Sequence, residues 1–211
     1  MQEIMQEKNE GFAVDLETGL LLAVPYYRSP HFNERPNADD INLLVIHDTE
    51  IVAPEHIPYE QSFVHYLFTY QYDLIKKNYF NECYALFPDG VINDVSAHLV
   101  IRRNGEVFQY VPFSQRAWHA GISEFMGRES CNDYSIGIEL EGMANRSDML
   151  YTDQQYETLA KLTVTLMQAY PAITPERIVG HEDIARPVYR KSDPGLTFDW
   201  PRYFALVEYY A

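Results

Sequence analysis

Two runs of β-forming residues on either side of Asn104-Gly105 constrain the fold of this chain more than any other segment. Asn-Gly between such runs is the strongest short-range signal for a β-hairpin, because both residues tolerate the positive φ that a tight turn requires. We therefore predict a hairpin over residues 96–111. Its first arm alternates, so that His98 and Arg102 share one face.

A second predicted strand, residues 134–142, has two very different faces. Its apolar face carries Ile136, Ile138 and Leu140. Its other face carries small and acidic residues, namely Ser135, Gly137, Glu139 and Glu141. Carboxylates on such a strand either reach solvent or face a site.

Apolar periodicity predicts the remaining elements. The run 41–46 is a buried strand, and residues 11–24 form a strand–turn–strand piece. Residues 61–80 have helical spacing. Residues 151–170 form a helix that begins at a capping box and ends before Pro171, and a last helix begins at Asp199-Trp-Pro201.

These elements predict an α/β fold in a single domain, with a central mixed β-sheet flanked by α-helices. The chain has 211 residues, enough for one domain with a full core. Residues 1–10 are expected to be an N-terminal tail, and residues 11–211 the domain. Residues 48–94 are a long connection, of the kind that forms variable insertions or lids.

Charge and composition exclude several classes of partner. The net charge of −15 disfavours nucleic acid and anionic membrane surfaces. No apolar run is long enough to cross a bilayer, and the acidic start lacks a signal-peptide pattern, so we expect a cytoplasmic protein. Cys83 and Cys131 are expected to be free thiols, although a bridge between them is open. The sequence does not predict the oligomeric state.

Three residues at the ends of elements or in loops could bind a metal: His47, His181 and Asp193. A catalytic zinc takes three protein ligands and leaves one position for water. The chain has no HExxH motif, and the three residues lie far apart in sequence. Spacing alone therefore favours structural residues over metal ligands.

Several motifs agree in order and register with one family. They are Ser96-Ala-His98, Arg102-Arg-Asn-Gly105, Gln109-Tyr-Val-Pro-Phe113, Arg116-Ala-Trp-His-Ala-Gly121, Cys131-Asn-Asp-Tyr-Ser-Ile-Gly-Ile-Glu-Leu-Glu-Gly142, Gly180-His181, Asp183-Ile-Ala185 and Lys191-Ser-Asp-Pro-Gly195. Over nearly the whole chain this closely resembles the AmpD amidases, which belong to the type 2 N-acetylmuramoyl-L-alanine amidases. The resemblance implies the amidase fold that is shared with peptidoglycan recognition proteins.

The resemblance also implies a function. The expected enzyme is a zinc-dependent amidase that cleaves the amide between the lactyl group of 1,6-anhydro-N-acetylmuramic acid and L-alanine, during peptidoglycan recycling. His47, His181 and Asp193 match the family's ligands for Zn²⁺. Glu139 matches the catalytic glutamate, and Lys191 matches the lysine that stabilises the oxyanion.

Other residues are expected to contact the muropeptide substrate or to support the site. The expected substrate contacts are Trp118, His119, Arg102 and Arg128. His98 could support the metal from behind or be structural. His31, His56 and His65 are expected to be surface or packing residues.

Departures from the family pattern concern the substrate more than the metal. The family's Asn after the first ligand is Asp48 here, and two of its arginines are replaced by Ser130 and, at the nearest position, Asp94. Arginines suit the carboxylates of a muramyl peptide, so stem-peptide preference is open. The loop before Asp193 is longer than usual, and Asp183 in it is a rival ligand.

A purely regulatory interaction protein is one alternative to the recycling enzyme, and two others concern peptidoglycan itself. One is a broader N-acetylmuramoyl-L-alanine amidase that acts on intact peptidoglycan. The other is a non-catalytic peptidoglycan-binding module, against which the retention of all three ligands, Glu139 and Lys191 argues.

Overall fold

A five-stranded mixed sheet forms the centre of the protein. The computed structural model describes residues 11–53, 57–143, 146 and 148–211. From edge to edge, and numbered in chain order, the strands are β11 (Ile178–Gly180), β4 (Leu43–Asp48), β10 (Ser135–Leu140), β5 (Leu99–Ile101) and β6 (Val107–Gln109). The first four run parallel, and β6 pairs antiparallel with β5. The predicted hairpin and mixed sheet are confirmed.

Three two-stranded ribbons surround this sheet. They pair β1 (Val14–Asp15) with β2 (Leu20–Leu21), β3 (Phe32–Glu34) with β7 (Gln115–Ala117), and β8 (Glu124–Phe125) with β9 (Arg128–Glu129). The α-helices are α1 (Phe63–Phe68), α2 (Tyr72–Asn78), α3 (Phe80–Leu86), α4 (Asp153–Ala169), α5 (His181–Ile184) and α6 (Trp200–Tyr210). Short 3₁₀ turns cover Tyr59–Gln61, Cys131–Asp133 and Pro175–Arg177.

The two faces of the sheet bury different partners. Ile136, Ile138 and Leu140 pack in one core with apolar residues of α4 and α6. On the opposite face, Val100 packs in a second core with residues of α1, α2 and α3. Val45, also on that face, packs in a third core with α5. Helices therefore flank the sheet on both faces, as predicted.

The predicted single helix over residues 61–80 is wrong. Two separate helices, α1 and α2, occupy that range, and α3 begins at its end. The Thr69 hydroxyl donates to the His65 carbonyl, and Tyr70 has a φ of 64°. A β-branched residue that bonds back to the helix, followed by a left-handed residue, ends α1 despite the apolar spacing.

The other predictions on secondary structure and cysteines have clear outcomes. Helix α4 begins at the predicted capping box, in which Thr152 and Gln155 exchange hydrogen bonds. Cys83 and Cys131 are both buried and free. The predicted tail, residues 1–10, and His56 lie outside the described residues. No helix in the described part of the chain is long and apolar enough to cross a membrane.

Candidate active site and metal centre

Neighbouring parallel strands bring His47 and Glu139 together. His47 lies on β4 and pairs in register with Glu139 on β10. Paired residues on adjacent strands point to the same face, about 4.8 Å apart. Strand β4 continues through Asp48, so His47 lies within the strand rather than after it as predicted. Two rigid central strands therefore fix the relative position of an imidazole and a carboxylate.

The two other candidate ligands reach His47 from β11 and the loop that follows α5. His181 is the first residue of α5, directly after β11, which pairs with β4. The Glu182 amide donates to the Asp193 carbonyl at 2.9 Å and ties the loop to α5. A Cβ at Gly180 would lie 2.7 Å from Pro194 Cδ, so glycine there permits the close approach of the loop.

Three buried side-chain atoms meet in a triangle at this point. His47 Nδ1 lies 3.1 Å from both His181 Nδ1 and Asp193 Oδ2, and His181 Nδ1 lies 3.2 Å from Asp193 Oδ2. Within the described part of the chain, these residues form a group that could hold a metal ion. The rival residue Asp183 instead accepts a hydrogen bond from the Gly180 amide at 2.8 Å.

Burial and mutual repulsion shift the pKa values at this site. Burial, and then the neighbouring His181, lower the pKa of His47 to about 4. Burial favours a raised pKa for Asp193, but hydrogen bonds from His181 and His47 outweigh it and lower that pKa. Burial raises the pKa of Glu139 well above its ordinary value. Asp193 and Asp48 raise it further, and Lys191 opposes them. A neutral imidazole and an ionised carboxylate are the forms that bind metals.

A cleft of about 270 Å³ opens beside Glu139. Lys191 lines it as well, and its ammonium lowers the pKa values of both Glu139 and His47. One wall is apolar and comes from α1, α3 and the turn after α3. This wall consists of Phe63, Val64, Leu67, Phe68, Leu86 and Phe87. The region 48–94 therefore contributes a hydrophobic wall to the site.

Two buried carboxylate oxygens at the site have no hydrogen-bond partner among the described residues, Glu139 Oε2 and Asp193 Oδ1. An unpartnered buried oxygen costs roughly 1–3 kcal/mol or more, and an ion or ligand can supply its partner. Glu139 lies opposite His47 on the neighbouring strand, and Asp193 contacts His47 directly. The site is therefore chemically incomplete without a cation or a proton donor.

Two of the predicted substrate contacts stay with protein partners away from the cleft. Arg102 lies 3.2 Å from Glu106 and 3.6 Å from Glu141. Arg128 pairs with Asp40 at 2.7 Å and stacks over the Tyr134 ring. Neither arginine lines the cleft described above.

The predicted substrate contacts Trp118 and His119 also hydrogen-bond to the protein. Trp118 donates through Nε1 to Asn33. His119 is buried, with its ring nitrogens near His47 and Ser135. His98 lies one layer further back, 5.7 Å from the His119 ring, and does not touch the triangle. His31 and His65 are buried packing residues.

The three departures from the family pattern have defined positions. Asp48 is buried and its Oδ2 lies 2.9 Å from the Tyr151 hydroxyl, which also lies 2.9 Å from the Pro194 carbonyl. Asp94 accepts a hydrogen bond from the Tyr72 hydroxyl. Ser130 has a left-handed φ of 61° and precedes a 3₁₀ turn. Asp48 is the departure that lies next to the candidate metal ligand His47.

Asn132 supports the site and was not singled out from the sequence. Its Oδ1 accepts the backbone amides of both His119 and Ala120, at 3.1 and 2.8 Å. The available signal was its place in the Cys-Asn-Asp motif, directly before the strand that carries Glu139.

Comparison with known sequences identifies the family. The pattern described as N-acetylmuramoyl-L-alanine amidase matches residues 37–196, a range that includes all three triangle residues and Glu139. The chain belongs to this amidase family. It is therefore an enzyme that hydrolyses an amide bond, as the motifs imply.

Individual relatives agree with this assignment. A protein from Haemophilus influenzae named 1,6-anhydro-N-acetylmuramyl-L-alanine amidase AmpD is 47% identical over 194 residues, which cover 92% of this chain and 97% of that protein. A crystal structure of a selenomethionine derivative of AmpD superposes with a TM-score of 0.74 at 42% identity, covering 92% of this chain and 98% of that one.

A more distant amidase of known structure contains a substrate. It is AmiD from Escherichia coli, in complex with anhydro-N-acetylmuramic acid-L-Ala-D-γ-Glu-L-Lys. Its TM-score is 0.55 at 27% identity, covering 93% of this chain and 66% of that one. The predicted fold and family are thus confirmed.

Proposed function

We propose that this amidase is zinc-dependent and hydrolyses the bond between the lactyl group of 1,6-anhydro-N-acetylmuramic acid and L-alanine, in peptidoglycan recycling. The triangle of His47, His181 and Asp193 beside Glu139 carries the proposal. Similarity to AmpD over 97% of the Haemophilus influenzae protein supports the choice of substrate.

The donor set fits zinc. Tetrahedral zinc with nitrogen and oxygen ligands at about 2.0–2.1 Å has its ligand atoms about 3.3–3.4 Å apart. The three donor–donor distances here, 3.1, 3.1 and 3.2 Å, lie close to that value. Three protein ligands leave the fourth position for water or substrate, which is typical of a catalytic rather than a structural site.

The reaction adds water to the carbonyl carbon and breaks the carbon–nitrogen bond, giving a lactyl carboxylate and a free amine on L-alanine. Zinc held by His47, His181 and Asp193 would supply Lewis acidity, which would polarise the carbonyl and acidify the attacking water. Glu139 accepts the proton of that water and delivers it to the leaving nitrogen. Its raised pKa suits a group that both takes up and gives up a proton.

Lys191 supplies a positive charge at the same end of the cleft. Its ammonium lowers the pKa values of Glu139 and His47, so its charge acts on the residues beside which we propose that the carbonyl reacts. We assign to it the stabilisation of the oxyanion that forms when water adds. The apolar wall from residues 48–94 lines the cleft beside Glu139, in keeping with an insertion that acts as a lid or sets specificity.

Peptide release from two substrates tests the proposal. The protein is incubated with anhydro-muramyl tripeptide and, separately, with intact peptidoglycan, each with zinc and after complete removal of metal by a chelator. We expect zinc-dependent release of peptide from the tripeptide substrate. No release from either substrate with zinc present contradicts the enzymatic function, and release after metal removal contradicts the zinc mechanism.

The same assay separates the alternatives. Faster release from intact peptidoglycan than from the soluble substrate favours the broader wall amidase. Binding to peptidoglycan without release favours a recognition module. The cytoplasmic location implied by the family resemblance is also part of the proposal, and fractionation of cells that express the full natural protein tests it.

A further inference from the structure

We propose that His119 is a positioning residue for the metal site, which fixes the proton and the orientation of His47 through a relay that ends at Ser135. This inference rests on the proposed zinc site. It assigns a role to a buried ring that lies behind the reacting face. His119 Nδ1 lies 2.9 Å from His47 Nε2, and His119 Nε2 lies 3.2 Å from Ser135 Oγ.

The direction of each hydrogen bond follows from the ligand atom. His47 points Nδ1 at the other two candidate ligands, so this nitrogen must keep its lone pair for the metal. A neutral imidazole then carries its proton on Nε2. That proton is donated to His119 Nδ1, which leaves the His119 proton on Nε2, facing the Ser135 hydroxyl oxygen. One chain of donors thus specifies a single tautomer for both rings.

The second histidine ligand is held from the same short segment. His181 Nε2 lies 3.1 Å from the carbonyl of Ala120, the residue that follows His119. This contact requires a proton on Nε2 and leaves His181 Nδ1 free for the metal. Asn132 Oδ1 accepts the amides of both His119 and Ala120 and so holds the segment in place. Outer partners of this kind orient metal ligands and raise their basicity.

The polar face of β10 explains why the ring fits there. A Cβ at Gly137 would lie 2.5 Å from His119 Cγ, so the ring occupies space that only glycine leaves open. Ser135, two residues earlier on the same face, contacts His119 Nε2, and Glu139, two residues later, lines the cleft. The alternation of small residues with a carboxylate on this strand therefore serves both the relay and the catalytic base.

Zinc affinity tests the relay directly. His119→Leu removes the acceptor for His47, whereas Asn in His119→Asn retains an oxygen near the position of Nδ1. We expect zinc affinity, measured by competition with a chelating dye, to fall about 10–100-fold in His119→Leu. His119→Asn should stay close to the wild-type protein. The absorption spectrum of the cobalt-substituted protein should change in His119→Leu and be restored in His119→Asn.

A control variant, and a comparison of Ser135→Ala in two proteins, distinguish a positioning role of His119 from a simple packing role. His65→Leu removes another buried histidine, which contacts Tyr110 instead of the metal site, and should leave zinc affinity unchanged. Ser135→Ala should weaken zinc binding in the wild-type background and have no further effect in the His119→Asn background, because the amide oxygen of asparagine accepts the His47 proton without a partner that fixes a tautomer. This pair also serves if His119→Leu fails to fold.

Distinct outcomes overturn distinct claims. Wild-type zinc affinity in folded His119→Leu overturns the positioning role alone. Equal losses in His119→Leu and His119→Asn, or additive effects of Ser135→Ala in the two backgrounds, also overturn it, since these indicate packing rather than a hydrogen-bond relay. A wild-type protein that binds no zinc overturns the proposed function as well. Near-ultraviolet circular dichroism of the metal-free proteins establishes that each variant is folded.

Discussion

At the scale of single residues, the functions of Glu139 and the metal ligands can be separated by experiment. Glu139 lies next to His47 but its oxygen atoms are not part of the triangle. Glu139→Gln should therefore bind zinc with near wild-type stoichiometry and lose about 10²–10⁴-fold in kcat, because the proton acceptor is gone. Zinc content and peptide release measure the two effects. Glu157→Gln on the exposed face of α4 is the control, and loss of zinc in Glu139→Gln would show that Glu139 is a ligand.

Lys191 should affect kcat as Glu139 does, but through its positive charge in the transition state rather than through proton transfer. An ammonium that stabilises the oxyanion acts in the transition state, so Lys191→Met should lower kcat about 10²–10³-fold with little change in KM. Lys161→Met on α4 removes a lysine that stacks over Tyr210 and should leave both constants unchanged. A raised KM with an unchanged kcat would instead assign Lys191 to ground-state substrate binding.

The sequence predicted residue types at the site better than their supporting contacts. His47, His181, Asp193, Glu139 and Lys191 lie in motifs that match the family, and the structure brings them to one end of the sheet. The position of His119 behind His47 was not predictable from the sequence. It depends on tertiary packing, which brings two distant segments together, and on the space that Gly137 leaves on strand β10. The partners of Arg102 and Arg128 are likewise set by tertiary packing.

At the scale of secondary-structure elements, the start of α4 makes a specific energetic prediction. Thr152 Oγ accepts a hydrogen bond from the Gln155 backbone amide, and the Thr152 backbone amide donates to Gln155 Oε1. The Thr152 hydroxyl also donates to the Arg103 carbonyl at 2.6 Å. Thr152→Ala should lower the free energy of unfolding by about 1 kcal/mol, within a range of 0.5–2. Urea unfolding measures it, and Thr152→Ser, which keeps the hydroxyl, should stay close to wild type.

Elements with local signals were predicted well, whereas those that depend on tertiary packing were not. The hairpin at Asn104-Gly105 and helix α4 contain their own turn and cap residues, and both are confirmed. The segment 61–80 has apolar residues at helical spacing but divides at Thr69 and Tyr70. Its aromatic side chains pack against the sheet face around Val100, and three short helices follow that surface.

At the scale of the whole molecule, buried histidines should make the metal-free protein less stable in acid. Burial lowers the pKa of His65, with Glu60 opposing, and lowers the pKa values of His31 and His98 below their ordinary value near 6.5. At a pH between the folded and unfolded pKa values, these histidines are therefore protonated in the unfolded chain and neutral in the folded chain. The stability is complete above pH 6.5 and falls as the pH decreases towards the folded pKa values, by at most about 1.4 kcal/mol per pH unit for each histidine.

Glu139 works in the opposite direction, because its raised pKa lets the folded protein take up a proton before the unfolded chain does. The pH dependence of the wild-type protein is therefore a difference between opposing contributions, and a single variant isolates one of them. We expect the loss of unfolding free energy between pH 7 and pH 5.5, measured with urea and a chelator, to be smaller in His65→Leu than in the wild-type protein. His65 lies away from the triangle, in contact with Tyr110, so the comparison does not disturb the metal ligands. Equal losses in the two proteins would mean that the pKa of His65 is the same in the folded and unfolded states, with Glu60 offsetting the effect of burial.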